Sequence, residues 1–102
     1  MELSVKQIGP VLTVLARGRI DMLNTPTFEF EVNKAITDEV KELILDFTYV
    51  EYLSSLGLRI VLELQKKMNA KGGTMKLMNV NDNIMDIFEI TGFTNILTIE
   101  NA

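Results

Sequence analysis

Apolar and polar residues alternate through Leu3-Ser4-Val5-Lys6, and after Gly9-Pro10 the stretch Val11-Leu12-Thr13-Val14-Leu15-Ala16 is apolar almost throughout. The pair predicts a hairpin from an edge strand into a more buried strand, with Gly-Pro as punctuation. Gly18-Arg19-Ile20-Asp21 follows, and then Asn24-Thr25-Pro26 opens a helix. There Thr25 is the expected N-cap, Pro26 the first helical residue, and Glu29 and Glu31 are expected near the positive end of the dipole. Phe28, Val32, Ala35 and Ile36 form the inward stripe.

Lys41-Glu42-Leu43-Ile44-Leu45-Asp46-Phe47 is a short apolar run between charges, which predicts a central strand buried on both faces. The next helix is expected from about Ser54, with Leu56, Ile60, Val61, Leu64 and Met68 inward, a Glu63–Lys67 pair on the surface, and Gly72-Gly73 as the stop. Leu77 and Met78 belong to the following strand. Asn79-Val80-Asn81-Asp82 supplies turn and cap residues for a third helix, with Ile84, Ile87, Phe88 and Ile90 inward until Gly92. Ile96-Leu97-Thr98-Ile99 reads as a last short strand. After the hairpin, strand and helix alternate, so the expected fold is α/β: one domain over residues 1–102 with a mostly parallel four- to five-stranded sheet, right-handed crossovers and helices packed against it.

Composition narrows the function. A chain of 102 residues, 47% hydrophobic, suffices for one core. The net charge of -4 and the scatter of ten basic residues give no electrostatic footprint for nucleic acid and disfavour an anionic membrane. No apolar run approaches the roughly 18 residues of a spanning helix, and the first residues lack the pattern of a signal peptide, so a cytoplasmic protein is expected. The chain has neither cysteine nor histidine. Thiolate nucleophiles, the commonest general base and most zinc sites are thereby removed. The balance favours a protein that is bound or modified over an enzyme, with no cofactor and no metal.

Tyr52-Leu53-Ser54-Ser55-Leu56-Gly57-Leu58 raises the sharpest question, because two serines stand at the mouth of an amphipathic run where a cap needs only one. They lie in a strand-to-helix loop, the kind of loop at which α/β domains meet their ligands and partners, and the loops holding Asp21 and Asn81-Asp82 belong to the same class. Gly57 reads either as a packing glycine or as room for a partner to approach. Asp21 reads as a turn residue accepting local N–H bonds or as a docking contact. Asp46 and Glu51 could form a carboxylate pair, but without a further catalytic group they read as solvated charges.

Taken in order, Gly18-Arg19-Ile20-Asp21, Leu43-Ile44-Leu45-Asp46 with Phe47 and Val50, Leu53-Ser54-Ser55-Leu56-Gly57-Leu58, and Asn79-Val80 through Ile90-Thr91-Gly92-Phe93 resemble the bacterial anti-sigma-factor antagonists, which are stand-alone STAS domains. The resemblance implies a partner switch. The unphosphorylated protein would bind an ATP-dependent serine kinase that is also an anti-sigma factor, and so free the sigma factor. Phosphorylation of Ser55, with Ser54 as the alternative, would end binding, and a PP2C-like phosphatase would restore it. The docking face it implies comprises Asp21, Met22, Leu23, Asn24, Ser54, Ser55, Leu56, Gly57 and Asn81. Ser54 departs from the family, where Asp is frequent. Two other readings remain: a STAS scaffold or accessory subunit of a signalling or transport complex, and a small nucleotide-binding domain, which the absence of a glycine-rich phosphate loop disfavours.

Overall fold

The computed structural model describes residues 1–101. Strands β1 (Glu2–Ile8) and β2 (Val11–Ile20) form the hairpin, followed by α1 (Thr25–Ala35), β3 (Glu42–Leu53), α2 (Ser55–Ala70), β4 (Thr74–Met78), α3 (Asp82–Ile90), a 3-10 turn (Phe93–Asn95) and β5 (Ile99–Glu100). The strands lie side by side in chain order, β1 antiparallel to β2 and every later neighbour parallel. Each parallel connection passes through α1, α2 or α3. Right-handed crossovers advancing one way across a sheet place their helices on one face, and α1 lies over β2 while α2 lies over β3 and β4.

The core follows from that one-sided cover. Leu12, Val14, Ala16, Leu43, Leu45, Phe47, Met75 and Leu77 alternate along the strands toward Phe28, Val32, Val61, Leu64, Met68, Ile84 and Phe88 of the helices. Ile44 and Asp46, between the buried residues of β3, are only half buried. The expectation that the central strand is buried on both faces is therefore corrected: with helices on one side, its other side reaches solvent.

β2 and β3 are also longer than the apolar runs suggest. β4 pairs with β3 only as far as Asp46. Beyond it β2 and β3 continue together, Arg17 opposite Tyr49 and Ile20 opposite Leu53, with irregularities at Leu15/Arg17 and Gly18/Arg19, and past Arg17, where β1 ends, they form a two-stranded arm. At the first irregularity the Asp46 carboxylate accepts the N–H and the hydroxyl of Thr48, whose oxygen in turn accepts from the Asn79 amide. Extra residues of this kind bend a strand and raise its twist. The Arg17 and Arg19 guanidinium groups stack over the rings of Tyr49 and Tyr52, each 4.3 Å from the centroid.

Several details depart from the sequence expectations. Asn24, not Thr25, is the N-cap of α1, which puts Pro26 at the second helical position; Thr25 instead donates its hydroxyl to the Asp21 carbonyl. Glu29 and Glu31 thus lie beyond the first turn, and Glu31 pairs with Lys34. Glu63 pairs with Arg59, while Lys67 reaches across to the Asn33 side chain of α1. Leu56 is half exposed and Gly57 takes the inward place. On α3, Ile84 and Phe88 are buried but Ile87 and Ile90 are exposed, because a helix of nine residues has room for one inward stripe. The last strand begins only at Ile99, since the 3-10 turn takes up the preceding chain.

The two faces of α3 should separate in urea denaturation. Ile84→Ala is expected to cost about 2–5 kcal/mol, whereas Ile90→Ser, at a side chain 86% exposed, should stay within about 0.5 kcal/mol of the parent.

Candidate functional site

The arm carries the two serines. β3 ends at Leu53, and the Ser54 N–H donates to the Ile20 carbonyl at 2.8 Å, which ties the start of α2 to the end of β2. Ser54 has extended backbone geometry, and its hydroxyl oxygen accepts the Gly57 N–H at 3.1 Å. It is the N-cap, and it is 3% exposed. Ser55, the first residue of α2, is exposed. Neighbouring hydroxyls thus occupy different environments: one is held inside the fold as an acceptor, and the other stands at the helix entrance.

Gly57 explains why the helix can sit so close. A Cβ at this position would lie 2.7 Å from Leu53 Cδ1 and 3.0 Å from Ile20 Cγ2. Its packing role is therefore concrete, and the close approach it permits is between α2 and the strand ends.

The loop between β2 and α1 is built by its own side chains. One Asp21 carboxylate oxygen accepts the N–H groups of Leu23 and Asn24, both at 3.0 Å. The Asn24 side chain accepts the Asp21 N–H at 2.9 Å and donates to the Arg19 carbonyl at 2.8 Å. Asp21 is thus the turn residue of this loop. The closed box lifts Met22, 71% exposed, and Leu23, 92% exposed, into solvent. Because Ile20 pairs with Leu53, the loop begins beside Ser54, and half-exposed Leu56 adds a further apolar side chain on α2.

Asn81 lies farther down the arm. Its side-chain oxygen Oδ1 accepts the Ile84 N–H and caps α3, while its side-chain Nδ2 donates to the Val50 carbonyl. It fastens α3 to β3, five positions before Ser55. The structure therefore gathers Asp21–Asn24 and Ser54–Gly57 at one end of the arm and sets Asn81 at its flank. Asp46 is committed to Thr48, and Glu51 is exposed on the arm. Among the described residues no cluster of carboxylates has the makeup of a metal site, and no pocket opens at the serines. What the arrangement offers is an open surface: a hydroxyl at a helix N-terminus beside exposed apolar side chains. Sequence reasoning missed the two Arg–Tyr stacks that stiffen the arm; basic residues at 17 and 19 facing aromatics at 49 and 52 were the available signal.

The serines should part in thermal or urea unfolding. Ser54→Ala removes the cap acceptor and is expected to cost about 1 kcal/mol, while Ser55→Ala should change stability by less than about 0.5 kcal/mol. Gly57→Ala, which crowds Leu53 and Ile20, should cost about 1–3 kcal/mol.

Known proteins place this geometry. The pattern of the STAS domain family matches residues 2–102. BtrV of Bordetella bronchiseptica, described as an anti-sigma factor antagonist, is 28% identical over all of this chain and 88% of its own length. The anti-sigma-B factor antagonist of Bacillus subtilis is 27% identical over 97% of this chain and 90% of its own. Among solved structures, the Bacillus anti-sigma factor antagonist SpoIIAA superimposes in its unphosphorylated form with a TM-score of 0.85 at 17% identity, covering 99% of this chain and 88% of that one. Its phosphorylated form does so with a TM-score of 0.80, also at 17% identity, covering 99% and 91%. With the five-stranded, mostly parallel sheet, its three helices on one face and a family match from end to end of the sheet, the chain belongs to the STAS domain family.

Proposed function

We propose that this protein is an anti-sigma factor antagonist that works by partner switching. Unphosphorylated, it binds an anti-sigma factor with serine kinase activity and releases the sigma factor; phosphorylation of Ser55 ends the complex, and a phosphatase of the PP2C type resets it. The observation that carries the choice of serine is the division of labour at the start of α2, where Ser54 is buried and engaged as the cap and Ser55 is exposed. The names of its relatives support the class of partner.

The chemistry of such a switch follows from position. The first N–H groups of a helix have no intrahelical acceptor, and an anion beside them gains roughly 0.3 to 1 kcal/mol. A phosphate on Ser55, bringing about -1.5 to -2 charges, is thus compatible with the fold. In the docked complex the same dianion would face partner groups that had met a neutral hydroxyl flanked by Met22, Leu23 and Leu56. Burying it unpaired or against like charge costs several kcal/mol, on the order of a hundredfold or more in affinity. Asp21 and Asn24 contribute by holding the loop in shape, and Asn81 by fixing the flank. No helix among the described residues is long and apolar enough to cross a membrane, and the role needs neither a membrane nor nucleic acid.

Incubation with the cognate kinase and ATP, followed by peptide mapping, should place a single phosphate on Ser55; phosphate on Ser54 would overturn the assignment. Ser55→Asp should keep the parent's unfolding midpoint while weakening the kinase complex by about tenfold or more in calorimetry, a partial copy of phosphoserine because it carries one charge. Leu23→Ser, which leaves the Asp21 hydrogen bonds intact, should weaken the complex by about 1–2 kcal/mol with no loss of fold.

A further inference from the structure

The long edge of the sheet is β1, whose seven residues run without proline or glycine, while the opposite edge, β5, has only two residues. It extends past the helix layer, since α1 covers β2 and α2 covers β3 and β4. Val5, on the helix side with Leu3, is consequently 49% exposed. On the opposite face β1 carries Glu2, Ser4 and Lys6, so in a chain of net charge -4 this edge holds one charge of each sign. Among the described residues neither charge has an ion-pair partner: Arg17, directly across from Glu2, is turned onto the Tyr49 ring, and Lys6 faces Thr13.

A lone lysine on an edge strand ordinarily blunts pairing with another chain. Here a glutamate of opposite sign stands four residues away on the same face, which turns the lysine into a selector of register. We propose that β1 is a homodimerisation edge, on which two copies of this chain pair antiparallel about a two-fold axis through Ser4. In that register each Glu2 meets the other copy's Lys6, each Leu3 meets Val5, and Ser4 meets Ser4. Both faces are satisfied together, the charges on the open face and the apolar pairs on the helix face. Neighbouring registers fail this test: centring on Val5 sets Glu2 against Ile8, and centring on Lys6 opposes two ammonium groups. The axis stands normal to the sheet, so the two sheets join into one with all helices on the same side. The parallel strands of the copies then run in opposite directions, and the two Ser55 surfaces face opposite ends of the dimer, both open.

Sedimentation equilibrium from micromolar to millimolar protein should show a monomer–dimer equilibrium. Lys6→Glu alone and Glu2→Lys alone should each weaken it by roughly tenfold, since two attractive pairs become repulsive. Mixing those two single variants should restore association as a heterodimer, as should the Glu2→Lys/Lys6→Glu swap in one chain. The absence of native cysteine allows a register test. Directly opposed residues of an antiparallel pair lie about 4.5–5.5 Å apart, within disulfide reach of about 4.4–6.8 Å. Ser4→Cys should therefore cross-link under mild oxidation at least about tenfold faster than Val5→Cys, whose copies are out of register and beyond that reach. A purely monomeric parent up to millimolar concentration, a dimer indifferent to Lys6→Glu, or equal cross-linking rates at positions 4 and 5 would each overturn the proposal.

Discussion

The arrangement at the serines depends on a close contact made at a glycine. At Gly57 the first turn of α2 lies against Leu53 and Ile20 so closely that a methyl group would overlap Leu53 Cδ1. That contact brings the helix down onto the ends of β2 and β3, and the Ser54 N–H to Ile20 bond locks it there. With the helix so lowered, the residue before it must be buried and the residue that starts it must face outward. The contrast between Ser54 and Ser55 therefore rests on the packing at Gly57 together with the cap bond that the Ser54 hydroxyl accepts.

The loop of residues 21–24 shows the same economy of means on the other side. Asp21 and Asn24 satisfy one another's backbone and the nearby carbonyl of Arg19. Polar groups that close on themselves leave only apolar side chains to project. A surface that presents Met22, Leu23 and Leu56 beside a hydroxyl carries little projecting charge, the Asp21 carboxylate being turned onto backbone N–H groups, and a single added phosphate is then a large relative change in its field. A docking face already rich in charge would respond far less to the same modification.

Much of this was legible in the residues. The cap at Ser54, the stop at Gly72 and Gly92 with their positive φ values, one of the two readings left open for Asp21, and the hairpin followed by alternating helices and mostly parallel strands all follow from local chemistry and periodicity. The misreadings share one cause: periodicity identifies an apolar side chain without saying whether an element covers it. Leu56 fits the inward stripe of α2, but Gly57 fits closer, and the helix rotates to bury the glycine. Ile87 and Ile90 fit a helical stripe on α3, but no further element of the chain lies over them. The arm was hard to see because exposed Arg17, Arg19, Thr48, Tyr49, Glu51 and Tyr52 interrupt its buried Ile20, Val50 and Leu53, and it is held by Arg–Tyr stacking and by pairing across the ribbon. The exposure of Ser55 rests on a distance between Gly57 and two side chains from different strands, which no single stretch of sequence contains.

That arm has a consequence for the way the molecule opens. β3 loses β4 beyond Asp46 and β2 loses β1 beyond Arg17, so the ribbon from Gly18 to Ile20 and from Tyr49 to Leu53 is held by one ladder, two exposed ring stacks, the Asn81 bond to Val50 and the foot of α2. Protection against amide exchange in such a segment is set by local opening, at a free energy below that of global unfolding, whereas Leu43–Leu45 with strands on both sides exchange only when the sheet comes apart. The surface that bears the serine thus belongs to a smaller cooperative unit than the core on which it stands. A partner gripping this end can stiffen or loosen the ribbon while the central sheet remains folded, and the breathing of the arm becomes a quantity that binding can tune.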